Sequence, residues 1–363
     1  MDIEIVPLLE SQHKPIPVQI RSFGKVFSDR MFTQRYDEGQ GWHDAQIGAY
    51  QALRLEPSCA VFHYAQEIFE GTKAYRRPDG DINLFRPWEN MKRFNEGARR
   101  MMMPEVDEED HLQALITLVE VSQAWVPFEA ETSLYIRPTM IATDATLGVH
   151  ASRSYLHFII TGPVGPYFET GYEPVAVYIS DEYVRAVRGG TGDVKTGGNY
   201  AASLLVTEQV KSQGYKQVLW LDAIDRRYVE EIGAMNIAFV YNGKHIVTPK
   251  LTGSILAGVT RDSVLRLAPD LGFVATEGLI DIHDVLADIR SGEITEVFGM
   301  GTAAVIAPVG KFGYHGQQYL INDEKVGPVA QELHQMLTDI QYGRLADPYG
   351  WTYQIRVKER SHA

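Results

Sequence analysis

Between Thr161 and Pro174 the chain reads TGPVGPYFETGYEP, two Gly-Pro pairs set between the strand-like runs YLHFII and VAVYIS. Proline fixes one backbone angle and removes an amide donor, and glycine tolerates angles that other residues avoid, so paired they punctuate a chain and read as a linker between folded parts. A chain of 363 residues is also too long for one small core. The break therefore divides it into an N-terminal domain, residues 1–164, a linker, 165–175, and a C-terminal domain, 176–363. A hydrophobic fraction of 45% is enough to give each part a packed interior.

The periodicities on either side of the break are mixed. PWENMKRFNEGARRMMM predicts a helix: Met91, Phe94, Ala98, Met101 and Met102 recur at helical spacing, Pro87 suits the first turn and Pro104 stops it. SLYIRPTMIATD predicts a strand. NYAASLLVTEQVKSQG predicts one helix ending at Gly214, QVLWLDA a buried strand, and NIAFVYNGKHIVT a hairpin turned at Asn242-Gly243. A helix is expected to open near Thr260, EVFGMGTAAVIAPV reads as two strands around a glycine turn, and a last helix runs from about Val326 to Tyr342. Strands and helices do not alternate strictly, which predicts a mixed α+β protein and not a doubly wound sheet.

The formal charge, −13, argues against nucleic acid or an anionic membrane as a general partner. Cys59 is the only cysteine, so no intramolecular disulfide can form, which fits a reducing compartment. The first residues, MDIEIVPLLE, carry acid where a secretory signal wants positive charge, and IAFVY and AAVIAPV are strand-sized. A soluble, cytoplasmic protein is expected, and no metal site is read from the sequence.

The stretch GGTGDVKTGGNY, Gly189 to Tyr200, sets Lys195 between two glycine pairs. It is not a P-loop, because Val194 stands where a glycine must precede the Lys-Thr pair. Nor is it a dinucleotide fingerprint, whose last glycine would fall on Lys195 itself. On local pattern a glycine-rich surface turn remains open. The alternative is a lysine drawn out of bulk water, able to form a Schiff base with an aldehyde. Amine chemistry of that kind on amino acids usually borrows pyridoxal phosphate. That cofactor needs a lysine, a carboxylate for its ring nitrogen, a partner for its ring oxygen and a phosphate cradle.

Glu231, in EEIGAMNIAF, precedes a glycine and leads into a strand, where it could face a pyridine nitrogen or simply water. SILAGVTRDS offers the amides of Val259 and Thr260 at a helix start, a site for an anion or an ordinary cap by Thr260. Arg93 could clamp the same phosphate bidentately or, as a lone arginine on a helix, face solvent. The turn GMGTAA could aim the amides of Thr302 and Ala303 at a carboxylate. Tyr135 and Arg137 lie two apart on a strand and so share a face, where they could receive a second carboxylate. Tyr64 and Phe69 are candidate walls for an apolar side chain, and Lys73 is a rival amine without glycines on its C-terminal side.

In order and spacing, HYAQEIFEGTKAY, LFRPWENMKR, SLYIRP, GGTGDVKTGGNYAAS, QVLWLDA, EEIGAMNI and VFGMGTAAV resemble the motifs of branched-chain amino acid aminotransferases, which are fold-type IV pyridoxal phosphate enzymes. The resemblance runs from about Phe23 to Gly343. It implies an α+β fold with a smaller N-terminal α/β domain and a larger C-terminal pseudo-barrel domain, and a homodimer. It further implies that Lys195 holds the cofactor and moves the proton, that Tyr200 meets the ring oxygen and Glu231 the ring nitrogen, and that Arg93, Val259, Thr260 and Thr302 hold the phosphate. By the same resemblance Tyr64, Arg137, Thr302 and Ala303 bind substrate carboxylates, and Phe23, Phe69, Tyr135 and Val149 form the side-chain pocket.

Two departures stand out. Ala234 replaces a threonine that the animal enzymes carry beside the ring, and Ala304, Val305, Ile306 and Ala307 replace their redox-active C-x-x-C. The activity implied is reversible transamination of leucine, isoleucine and valine with 2-oxoglutarate, giving branched-chain 2-oxo acids and glutamate. A D-amino acid aminotransferase or an aminodeoxychorismate lyase would share the fold but usually lacks the long EGTKAY and RPWENM segments. A non-catalytic binding protein would have no need of Lys195, Glu231 and Arg93 together.

Overall fold

The computed structural model describes residues 1–20, 23–166 and 171–357. It contains two nine-stranded sheets, and the chain separates into two compact units. The first unit comprises Met1–Glu169, Lys195–Gly197 and Asp339–Ala363, and the second Thr170–Val194 and Gly198–Thr338. Part of the expected linker, residues 167–170, lies outside the described residues.

The first sheet uses β1 (Glu4–Ile5), β2 (Arg30–Asp37), β3 (Gly41–Ala49), β4 (Glu67–Phe69), β5 (Thr72–Arg76), β6 (Ile82–Phe85), β7 (Ser133–Ala142) and β8 (Ser154–Val164). Their order is β1-β3-β2-β8-β7-β5-β6, with β4 beside β7 and a short helix, α1 (Ala60–Tyr64), just before β4 in the chain. A last strand, Thr352–Ile355, pairs antiparallel with β6. That pairing, an edge-on contact of Trp351 with Phe85 and a hydrogen bond from the Tyr342 hydroxyl to the Thr132 carbonyl place the tail with the first unit. The sequence expectation puts it with the C-terminal domain instead.

Along β7 burial alternates. Leu134, Ile136 and Met140 are fully buried, whereas Tyr135, Arg137 and Thr139 are half-exposed on the opposite face. The buried face packs with Phe32, Ile47 and Leu84, with Met91 of α2 (Pro87–Arg100) and with Ala114, Leu115 and Leu118 of α3 (Glu108–Val121). Pro87 occupies the first turn of α2 as expected, and the helix ends at Arg100. Met91, Phe94 and Ala98 are buried, but Met102 lies beyond the helix with φ +53° and is 72% exposed. Asp107 caps α3 through the amides of Glu109 and Asp110.

The second sheet uses β9 (Val175–Ser180), β10 (Gln217–Leu221), β11 (Val229–Ile232), β12 (Asn236–Tyr241), β13 (His245–Pro249), β14 (Val274–Gly278), β15 (Ile294–Gly301), β16 (Val305–Tyr314) and β17 (Gln317–Leu320). Its order is β11-β10-β9-β16-β15-β12-β13-β14, with β17 beside β16. Asn242 and Gly243 turn the β12–β13 hairpin with both φ angles positive. Thr302 to Ala304 turn β15 into β16, antiparallel as expected.

The single helix predicted after Lys195 is two, α4 (Gly197–Ala201) and α5 (Leu204–Lys211). The Ser203 hydroxyl donates to the Tyr200 carbonyl (2.7 Å), a local bond that competes with helix continuation. Val206 and Val210 of α5 pack on Val218 and Trp220 of β10. Among the described residues no helix is long and apolar enough to cross a membrane.

Candidate active site

In the first unit the candidates gather on the half-exposed face of the sheet. Lys195 lies in irregular backbone just before α4 and is half-buried. Its carbonyl accepts from the Phe69 amide (2.9 Å), and its Nζ lies 5.0 Å from the centre of the Phe69 ring. The Arg137 guanidinium stands 4.6 Å from the same ring and donates through Nη2 to the Tyr135 hydroxyl (2.9 Å). Tyr135 and Arg137 therefore share a face, as their spacing predicts. Phe23 meets Tyr135 edge-on, with ring centres 4.9 Å apart.

Lys73, the rival amine, pairs with Tyr135 across β5 and β7, so it lies on this face too. It is 6% exposed, and burial lowers its pKa to about 7. The Gly71 position has no room for a side chain, since a Cβ there would meet the Tyr135 hydroxyl at 2.1 Å.

Two glutamates of HYAQEIFEGTKAY organise this face, and neither is singled out by the sequence. Glu67 accepts from the Gly197 amide; burial raises its pKa, with that amide and Arg137 opposing. Glu70 is fully buried and takes Arg93 bidentately, Nε to Oε1 at 2.7 Å and Nη2 to Oε2 at 2.9 Å. It also accepts from Asn90 Nδ2 (2.8 Å) and the Gly71 amide (3.0 Å). Burial alone would push the Glu70 carboxyl up, but Arg93, with Lys195 and Asn90, outweighs it and holds the pKa below the usual range. The fork of Arg93, expected to face an anion, thus has two of its nitrogens on Glu70. Tyr64 and Val149 are exposed: Tyr64 is 39% exposed with its hydroxyl on the Leu147 carbonyl, and Val149 is 83% exposed.

The second unit carries the remaining candidates. Glu231 is buried on β11 and accepts from the Leu256 amide (2.8 Å) and Asn236 Nδ2 (3.4 Å). Asn236 also donates to the Leu256 carbonyl (2.9 Å). The run from Ser254 to Gly258 is thereby bound to Glu231 just before α6 (Val259–Leu267). Val259 and Thr260 open that helix. Gly258 is the cap residue and no side chain caps it, so the Thr260 cap left open by the sequence is not formed. A Cβ at Gly258 would meet Asn236 Oδ1 at 2.0 Å, so glycine is what lets this backbone pass.

Tyr200 is half-buried on α4, and Thr302 and Ala303 are half-buried in the β15–β16 turn. Ala234 is exposed in the turn between β11 and β12. Arg185 completes this group. It is buried against Glu231 and escapes a reading of the sequence because nothing in DEYVRAVRGG marks which arginine turns inward.

A helix start without a side-chain cap, a buried carboxylate, a tyrosine and a glycine-flanked lysine are the donor types that pyridoxal phosphate requires. Among the described residues there is no cluster of three or more His, Cys, Asp or Glu side chains able to hold a metal. The model of the family described as Amino-transferase class IV matches residues 67–312. The chain is 51% identical over 345 residues to branched-chain-amino-acid transaminase 1 of Bacillus subtilis, covering 95% of this chain and 96% of that one. It is 49% identical to a probable branched-chain-amino-acid aminotransferase of Streptomyces coelicolor, covering 96% of each.

Among solved structures, the branched-chain amino acid aminotransferase of Escherichia coli superposes with a TM-score of 0.70 at 25% identity, over 89% of this chain and 98% of that one. The T.th. branched-chain amino acid aminotransferase, solved with N-(5'-phosphopyridoxyl)-L-glutamate, has the same fold, with a TM-score of 0.73 at 24% identity over 89% and 97%. The chain belongs to the class IV amino-transferase family, as a fold-type IV, pyridoxal phosphate-dependent branched-chain-amino-acid transaminase.

Proposed function

We propose that transamination here runs between branched-chain L-amino acids and 2-oxoglutarate, with Lys195 as the amine that holds the cofactor's aldehyde and carries the proton. When bound, pyridoxal phosphate supplies an electron sink for the bond broken at the substrate α-carbon. Once the substrate's amine has displaced it from the aldehyde, Lys195 Nζ would be a free amine able to accept the α-carbon proton and give it back. With the cofactor bound, Glu231 would partner its ring nitrogen and Tyr200 its ring oxygen, while Arg93, Val259, Thr260 and Thr302 would hold its phosphate. Thr302, Ala303, Arg137 and Tyr64 receive carboxylates.

What supports this reading most is the Phe69 face, where Lys195 Nζ and the Arg137 guanidinium lie over one ring with Tyr135 and Phe23 beside it. That face offers apolar area to an aliphatic side chain and a cation to the second carboxylate of 2-oxoglutarate. One site must take both. Arg137→Met is therefore expected to spare the half-reaction with leucine and to slow that with glutamate about 100-fold, the scale for stranding a carboxylate from its cation. Equal loss with both amino acids would overturn the assignment of Arg137. Borohydride reduction followed by peptide mapping tests Lys195: a label on any other lysine would move the chemistry elsewhere.

We further propose a cytoplasmic homodimer, with residues 165–175 linking a domain built from residues 1–164 and the tail from Asp339 to one built from residues 176–338. Support for the dimer comes from Phe62, Tyr64, Leu147 and Val149, apolar side chains 61%, 39%, 65% and 83% exposed within one unit. Tyr64 and Val149 would then serve a site completed by the second copy. Sedimentation of the protein with Val149→Asp, compared with the unaltered chain, tests this.

A further inference from the structure

Arg185 is 9% exposed and touches three parts of the second unit at once. Its Nε lies 3.0 Å from Glu231 Oε2, a charge contact without the alignment of a hydrogen bond. Its Nη2 donates to the Gly192 carbonyl (2.9 Å), inside the glycine run that leads to Lys195, and to the Ser254 carbonyl, at the start of the run that enters α6. Little slack exists where these segments meet. A Cβ at Gly192 would lie 2.4 Å from the Ser254 carbonyl oxygen and 2.5 Å from the Ala186 Cβ.

The charges nearby are unequal. Glu230, next in the chain, is also buried. Burial pushes its carboxyl up, and the neighbouring Glu231 adds to that; Ser254, which donates to it, and Arg185 act the other way. Glu231, by contrast, has the guanidinium in direct contact and two further donors on Oε1. A cation at 3 Å inside a protein favours the carboxylate anion over the neutral acid. An anionic carboxylate opposite a pyridine nitrogen keeps that nitrogen protonated. A neutral one can let it go bare, and a bare pyridine is a poorer electron sink.

The geometry points to Arg185 as a positioning residue that keeps Glu231 anionic and fixes it to both the lysine loop and the α6 entrance. This rests on the assignment of Glu231 to the ring nitrogen made above. It adds a residue that acts through Glu231 on the proton of the cofactor ring.

The test uses holoenzyme loaded with pyridoxal phosphate labelled with ¹⁵N in its ring, read by NMR, and cofactor titration of the apoprotein. In Arg185→Met the ring-nitrogen signal is expected to move from the protonated toward the unprotonated range, and the cofactor Kd to rise about 10-fold or more, the scale seen when a supporting partner is lost. Arg185→Lys keeps the charge and loses the fork, so it is expected to restore the signal while leaving the Kd raised. A role confined to scaffolding would raise the Kd in both variants with the signal unmoved, and that result overturns the proposal. Glu231→Gln separates the two assignments. An unmoved signal there sinks Glu231 itself, whereas a moved signal there with an unmoved one in Arg185→Met sinks Arg185 alone. If Arg185→Met fails to fold, Arg185→Gln read in the same way decides, because it removes the charge and keeps a donor.

Discussion

At the scale of the residue, Glu70 shows how much a buried charge, which leaves no mark in the sequence as the glycine flanks of Lys195 or the strand spacing of Tyr135 and Arg137 do, rests on its partner in space. Its carboxylate is fully buried and Arg93 is its bidentate mate. Removing one member of a buried pair leaves an uncompensated charge, which costs on the order of 3–5 kcal/mol. Glu70→Ala is therefore expected to lose that much stability in urea unfolding of the apoprotein, and a loss below about 1 kcal/mol would show Arg93 to be satisfied elsewhere.

At the scale of the element, periodicity locates helices well and ends poorly. The stripe Met91, Phe94, Ala98 is buried on α2, yet Met102, which fits the same spacing, falls after the helix has ended at Arg100. Pro104 sets only an outer limit to the helix, and nothing local says that it stops before Met101. The break between α4 and α5 is hidden for a related reason: a serine hydroxyl chooses between solvent and the backbone according to its surroundings. The α2 stripe can be tested directly. Phe94→Ala is expected to cost about 3–5 kcal/mol as a core truncation, and Met102→Ala to stay within about 0.5 kcal/mol. Equal losses in chemical denaturation would place Met102 in the core after all.

At the scale of the whole molecule, the first unit stakes part of its stability on two uncharged imidazoles. His111 on α3 and His157 on β8 meet edge-on, ring centres 4.7 Å apart, with Phe94 against both. Both are buried, and neither ring has a protein hydrogen-bond partner among the described residues. Burial lowers the His111 pKa to about 4 against a weaker opposing pull from Glu70, and burial together with His111 lowers that of His157 further. The fold thus binds these rings neutral, while the unfolded chain takes up protons below the ordinary value of 6.5. Their contribution is complete above that value and is lost as pH falls toward about 4. At about 1.4 kcal/mol per pH unit for each proton, the pair withdraws roughly 4 kcal/mol by about pH 5, a large share of a typical stability of about 5–15 kcal/mol.

Glu67, Glu230 and Glu296 work in the opposite sense, because burial raises them and the fold keeps protons that the unfolded chain has released. Lys73 acts only above about 7, where the fold holds it neutral and rising pH removes the penalty. The histidines are therefore isolated by a difference between two proteins. Urea unfolding of the unaltered chain and of a His111→Met, His157→Met variant should be followed from about pH 7.5 to about pH 5. Methionine fills such a site without a charge to gain. The gap between the two stabilities is expected to shift by roughly 4 kcal/mol in favour of the variant over that range. Parallel curves, agreeing within about 0.5 kcal/mol after a constant offset, would mean that the imidazoles reach water or a proton acceptor and take no part in acid unfolding.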